Sequence, residues 1–145
     1  MYIKQISVFL ENRPGTLREL TALLGSGNID IREISVADTA SFGIVRMIIR
    51  SAQIERAMEL LKGAGYTARI NHVICAEIDD KPNGLSNLLT IIENEKMSVE
   101  YMYSFRRHSE GRAQMVLRLT ENDRAYAVLN AYGVKIYGQE AVDQM

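Results

Sequence analysis

Hydrophobic and polar positions alternate from Ile3 to Glu11, with Ile6, Val8 and Leu10 on one face, and this period of two predicts a strand. The period then lengthens. Leu17, Leu20 and Leu24 fall three and four apart, as the buried stripe of a helix should. Pro14 fits the first turn of that helix, and Gly25 and Gly27 end it. Residues 29–38 predict a second strand around Ile31, Ile34 and Val36, whose change of register at Arg32-Glu33 reads as a bulge or a sheet-edge position. A third strand covers 42–50, with Val45, Met47 and Ile49 on one side and Ile44, Arg46, Ile48 and Arg50 on the other. A second helix over 53–63 buries Ile54, Ala57, Met58 and Leu61 and stops at Gly65, and residues 66–71 give a fourth strand.

The whole pattern then recurs. Shifting the sequence by 68 residues places Ile6 on Ile74, Pro14 on Pro82, Leu17 on Leu85, Leu20 on Leu88, Gly43 on Gly111, Met47 on Met115, Leu61 on Leu129 and Gly65 on Gly133, with no insertion or deletion. The second copy has strands near 72–78, 99–107, 112–119 and 134–139 and helices near 84–95 and 122–132. Thr120 followed by Asp123 resembles a capping box, with Asp where Glu is usual. The order βαββαβ twice over predicts an α+β fold of two ferredoxin-like units, residues 1–71 and 72–145, each an antiparallel four-stranded sheet with two helices on one face. No Gly/Ser/Pro linker separates strand four of the first unit from strand one of the second, so the halves are expected to be rigidly coupled. Each unit is small enough for a single core to be marginal, so burial of one against the other is expected to add stability.

Composition narrows the function classes. Seventeen Lys+Arg against eighteen Asp+Glu give a net charge of −1, without the basic excess of a general phosphate-backbone binder. RNA-recognition domains share the βαββαβ order but need aromatic rings on central strands, and Ile44–Arg50 and Arg112–Thr120 have none. Nucleic acid is therefore not an expected partner. The single cysteine, Cys75, permits no intrachain disulfide. Met1 leads straight into a strand, and no apolar run approaches the ~20 residues that span a bilayer. A cytoplasmic protein with no membrane partner is expected. His72 and His108 have no Cys, Asp or Glu at metal-site spacing, no nucleophile, base and orienter can be assembled, and no cofactor is implied.

The chemistry points to one loop and its copy. Between strand one and helix one lies Glu11-Asn12-Arg13-Pro14-Gly15-Thr16-Leu17, matched by Asp79-Asp80-Lys81-Pro82-Asn83-Gly84-Leu85. A helix starting here offers backbone N–H groups at Gly15, Thr16 and Leu17 and the positive end of its dipole, and Gly15 has no side chain to block approach. A carboxylate or phosphate suits such a site. The alternative reading is that Pro14 and Gly15 only set the turn and start the helix; two equivalent loops weigh against it without eliminating it.

With Gly27-Asn28-Ile29-Asp30-Ile31 following it, the segment Leu10–Leu17 resembles the start of an ACT domain, most closely those of serine-sensing phosphoglycerate dehydrogenase and the acetolactate synthase regulatory subunit. The resemblance covers nearly the whole chain as two consecutive units. It implies a non-catalytic regulatory protein that binds a free amino acid at an interface between ACT units, against the first loop of one and the second strand of its neighbour. Carried over by residue, Asn12 and Asp30 match ligand-contacting side chains, Arg13, Pro14, Gly15, Thr16 and Leu17 the surrounding loop, and Asp80, Asn83, Gly84 and Leu85 their second copy. Leu10 stands where the serine sensors carry His, which argues against serine, and Asp30 tilts the choice toward a side chain with donors, such as histidine. Asp80 in place of Asn12 makes the second loop the poorer carboxylate site. Tyr103, with Tyr101, is placed to line a cleft between units. The alternative implied by the resemblance is a regulatory subunit working mainly through contact with a metabolic enzyme.

Other residues read as structural. Cys75, Met97, Met102 and Met115 fall at core positions. Arg106, Arg107, His108 and Arg112 sit on a hairpin tip, either solvated or touching an anion. Outward-facing Ile44, Ile48 and Val116, with Phe9, are expected to form an apolar patch for a homodimer or a partner enzyme.

Overall fold

The computed structural model describes residues 1–39, 41–108 and 110–145, the side chains of residues 106–108 apart. Its elements run β1 (Ile3–Glu11), α1 (Thr16–Ser26), β2 (Glu33–Asp38), β3 (Phe42–Ile48), a 3-10 turn (Ser51–Gln53), α2 (Ile54–Gly63), β4 (Thr67–Asp79), α3 (Gly84–Asn94), β5 (Val99–His108), β6 (Arg112–Leu119), α4 (Asn122–Ala131), β7 (Ile136–Tyr137) and α5 (Gln139–Gln144). The chain divides into one unit of Lys4–Asn71 and another of His72–Met145 joined by Met1–Ile3. The predicted fourth and fifth strands are one strand, β4, which enters the junction as part of one unit and leaves it as part of the other.

In the first unit the strand order is β2-β3-β1-β4, the ferredoxin-like arrangement. Antiparallel pairing sets Ile6 opposite Met47 and Val8 opposite Val45 on one ladder, and Ile34 opposite Met47 and Val36 opposite Val45 on the next. Ile6, Val8, Leu10, Val45 and Met47 form a core with Leu20 and Leu24 of α1 and Ala57 and Leu61 of α2. Each such leucine contributes about 1.5–3 kcal/mol by leaving water. Gly27 lets the end of α1 approach α2: a Cβ there would stand 2.3 Å from Leu60 Cδ1, and Arg56 Nε donates to the Gly27 carbonyl at 3.0 Å.

Helix boundaries depart from the pattern for local reasons. Gly15 is left-handed, φ 87°, and caps α1, so the helix begins at Thr16 and Pro14 lies outside its first turn. Leu17, now in that first turn, is 39% exposed, and the buried stripe is Leu20 and Leu24. Gly25 stays helical and Gly27 ends α1. β2 starts at Glu33, although the Arg32 N–H already donates to the Ile48 carbonyl at 2.9 Å.

The second unit repeats the order: β6 pairs with β4 and β5, and β7 with the other edge of β4 through Cys75 opposite Tyr137. Its core joins Ile74, Ala76, Leu117 and Leu119 to Leu88 and Ile92 of α3 and Ala125 and Leu129 of α4. The expected capping box does not form. Glu121 occupies the cap position without a side-chain capping bond; the Asn122 side chain instead accepts from the Leu119 N–H and donates to the His72 carbonyl, while Asp123 accepts from the Tyr2 hydroxyl. The last strand is shorter than predicted, and α5, anchored by the buried Val142, was not anticipated.

The expected apolar patch is also corrected. Ile48 and Val116 are fully buried and Ile44 is half-buried, leaving Phe9 exposed. β6 buries side chains on both faces, and β3 does so at Ile48 after alternating from Phe42 to Met47, so alternation alone does not separate an inner face from an outer one. Among the described residues, no helix is long and apolar enough to cross a membrane.

Candidate functional site

The first loop is held by short-range polar bonds. The Asn12 N–H donates to the Ser41 carbonyl at 3.3 Å, and Asn12 Nδ2 donates to Asp38 Oδ1 at 2.8 Å, which ties the loop to the end of β2. The Thr16 hydroxyl lies 3.0 Å from the carbonyls of both Glu11 and Arg13. Of the three N–H groups expected to face a ligand, that of Thr16 bends to the Arg13 carbonyl at 3.4 Å. Those of Gly15 and Leu17 meet no acceptor among the described residues, and nothing crowds the Cα of Gly15. Arg13 Nε pairs with Glu11 Oε2 at 3.1 Å, but both side chains are well exposed, so this pair adds little stability.

Asp30 lies elsewhere. Its N–H reaches Gln53 Oε1 at 3.5 Å, and Gln53 Nε2 donates to the Asn28 carbonyl at 2.9 Å, before β2 begins. Asn12 is bonded to Asp38 at the other end of that strand, so within one unit Asn12 and Asp30 do not meet.

A cleft of about 340 Å³ opens beside the first loop, between the end of β1, the first turns of α1 and the α2–β4 turn. Leu10, Glu11, Arg13, Thr16, Glu19 and Tyr66 line it. Glu19 and Tyr66 were not singled out from sequence: Glu19 arrives one helical turn after Thr16, and Tyr66 is delivered by the left-handed Gly65.

The second loop has the same path with a different filling. Asn83 adopts the left-handed conformation of Gly15, φ 70°. Gly84 is buried where Thr16 is not, and a Cβ on it would stand 1.9 Å from the Asp79 carbonyl oxygen, so this helix start is pressed onto the strand end. Asp79 is paired with Arg112 and, at 3.7 Å, with Lys81, while the Asp80 N–H donates to the Gly111 carbonyl at 2.8 Å. Leu85 is exposed much as Leu17 is. Tyr103 faces Val116, four residues along β6 from the Arg112 beside this loop, roughly 13 Å away.

The remaining candidates fall outside any site. Cys75 is fully buried, and burial pushes its thiol up to about 12, so it is a poor nucleophile. His72 uses its carbonyl to accept from Arg118 and Asn122, and its ring lies 6.3 Å from that of Tyr2. Met97 is core, and Met102 and Met115 pack against it half-buried. In the hairpin cluster, the side chains of Arg106, Arg107 and His108 lie outside the described residues, and Arg112 is engaged with Asp79. No group of His, Cys, Asp or Glu among the described residues could hold a metal ion.

Comparison with known proteins gives a family and a fold. The sequence profile described as an ACT domain pair matches residues 1–143. Protein BT0572 from Bacteroides thetaiotaomicron is similar over 100% of this chain and 98% of its own, at 30% identity and a TM-score of 0.88. The regulatory subunit of aspartate kinase from Thermus thermophilus shares the fold at 17% identity and TM-score 0.65, over 90% of each chain. That from Thermus flavus does so at 16% and 0.62, over 88% of each. No curated protein matches in sequence.

Proposed function

Because the chain belongs to the ACT domain pair family, we propose that it is a non-catalytic regulatory protein that binds a free amino acid through the first of its two loops. The contrast between the loops carries this reading. The first has open N–H groups at Gly15 and Leu17 at a helix start, where a carboxylate is favoured, and a polar cleft beside it. In the second, the equivalent N–H groups of Asn83 and Leu85 likewise meet no acceptor among the described residues, but the helix start at Gly84 is pressed on the Asp79 carbonyl and the acidic Asp80 stands where Asn12 does. Asn12 would hold the ligand's polar groups from the same loop, and Asp30 of a neighbouring unit its ammonium or a donor-bearing side chain such as that of histidine. Binding would favour one packing of the units over another, which is how a ligand without chemistry regulates.

A thermal-shift panel of the twenty amino acids tests this. A ligand that binds only the folded chain stabilises it by about 2.7 kcal/mol at ~100 times Kd, roughly 5–10 °C here. Asn12→Ala and Asp30→Ala should weaken binding more than Asp80→Ala; the reverse order would assign the site to the second loop. No shift with any amino acid, confirmed by calorimetry, would leave the second reading, a regulatory subunit that acts mainly by contact with a metabolic enzyme.

A further inference from the structure

Of the asparagines in the chain, Asn83 alone precedes a glycine. That pairing carries a reaction of its own: the backbone nitrogen of the following residue attacks the side-chain amide carbon, and a glycine has no side chain to hinder the attack. The first loop holds Gly15 at the equivalent place, with no amide to be attacked, so the reaction belongs to the second loop. Asn83 is exposed and its side chain makes no capping bond, so the amide carbon is open to water. The nitrogen is not. Gly84 is buried at the start of α3, its N–H donates to the Lys81 carbonyl at 3.0 Å, and its Cα is pressed on the Asp79 carbonyl. The backbone angle opposes the reaction too. A five-membered ring closes only when Asn83 Cβ eclipses the Gly84 nitrogen about the Cα–C bond, whereas at ψ −4° the backbone nitrogen of Asn83 does so. The Asn83 carbonyl would have to swing with that angle, and it accepts from the Asn87 N–H at 2.9 Å. We propose that Asn83 is a deamidation site, held silent by the folded second loop and released when the start of α3 opens.

On opening, the Gly84 nitrogen gives its proton to solvent and bonds to Asn83 Cγ, while Nδ2 takes up a proton and leaves as ammonia. Water then cleaves the resulting imide at either carbonyl, giving aspartate or isoaspartate. One water enters, one ammonia departs, and nothing is oxidised or reduced. Aspartate leaves the main chain unchanged, adopts the left-handed φ of 70° as asparagine does, and places its charge at a helix N-terminus, so that product can fold back. Isoaspartate puts one extra methylene into the main chain just before Gly84. There is no room for it against Asp79, so the loop cannot re-form as before. The second loop thereby keeps a one-way chemical record of its openings. The site acts whether or not the first loop binds an amino acid.

The test is peptide mapping by mass spectrometry on the full chain, incubated at mildly alkaline pH both folded and unfolded in guanidinium. Chemistry this slow follows the population of the open form, so the ratio of the two rates measures the opening. Asn83 should convert about tenfold or more slowly in the folded chain, and in guanidinium it should convert ahead of every other asparagine. Arg112→Ala removes the partner that holds the Asp79 carboxylate and should speed the folded reaction about two- to fivefold, with the unfolded rate unchanged. Of the separated products, the isoaspartyl chain should melt at a lower temperature than the aspartyl one. Asn83 reacting no faster than its fellows in guanidinium, equal rates folded and unfolded, a folded rate indifferent to Arg112→Ala, or an isoaspartyl chain as stable as the aspartyl one would each overturn the proposal.

Discussion

Gly84 and Gly15 occupy neighbouring places in equivalent loops, and substituting each with Ala should have very different costs. At Gly84 the added Cβ would lie 1.9 Å from the Asp79 carbonyl oxygen and 2.9 Å from its carbon, more than 1 Å inside the closest normal contact. The oxygen cannot rotate away as a flexible side chain would, because Asp79 is the last ladder residue of β4, opposite Arg112, and its carboxylate is bonded to that arginine. About 1 Å of backbone must therefore move, against a strand pair and an ion pair, and a cost of about 3 kcal/mol is expected, at the upper end for overpacking. At Gly15 the space is open and only the left-handed backbone opposes Ala, at about 1–2 kcal/mol. Urea unfolding followed by circular dichroism should rank the variants in that order, with melting temperature falling roughly 6–12 °C for Gly84→Ala and about 2–8 °C for Gly15→Ala. If Gly84→Ala stays within about 1 kcal/mol of the parent chain, or Gly15→Ala is the worse, the helix start at Gly84 is not pressed on Asp79 in the way described.

Two further effects concern ionisation and the amino terminus. Burial raises the Cys75 thiol from its usual 9.0 to about 12, and desolvation followed by the bond to Asp123 raises the Tyr2 phenol from 10.0 to about 12. Both groups hold their protons more tightly when folded, so the stability they contribute should be constant below about pH 9 and be lost between about 9 and 12; Cys75→Ala should flatten part of that slope, read from urea midpoints at about pH 8 and about pH 10.5. A slope unchanged by Cys75→Ala would show that the thiol is not the group responsible. Tyr2→Phe removes the hydroxyl bond to Asp123 but keeps ring contacts with His72 and Tyr126, and should cost about 0.5–1 kcal/mol, with Tyr2→Ala costing more; equal costs would mean that the ring contributes nothing.

The repeat made most of the fold legible, because each element appears twice and its period can be read against its copy. Where reading along the chain failed, a three-dimensional neighbour decided the outcome. The left-handed Gly15 displaced the start of α1 and left Leu17 exposed, and nothing in the spacing of leucines carries a φ value. Thr120 and Asp123 have the spacing of a cap, but Tyr2, distant in sequence, takes the carboxylate. Alternation along β3 and β6 predicts one dry face, and Ile48 and Val116 are buried on the other. At the candidate site, the places of the loop and of its second copy were readable from their matched sequences. The approach of Asp79 to Gly84 was not, since it depends on the backbone path and not on residue type. The cleft residue Tyr66 comes from a turn some fifty residues further along the chain, which no local pattern links to the loop.

The first three residues belong with the second unit. Tyr2 is bonded to Asp123 and packed on Tyr126, and a Cβ on Gly138 would collide with Met1. Cutting the gene between Asn71 and His72 would consequently yield two defective proteins: one bearing an amino terminus with nothing to grip, the other with an empty berth at α4 and Gly138, and each ending or starting inside β4.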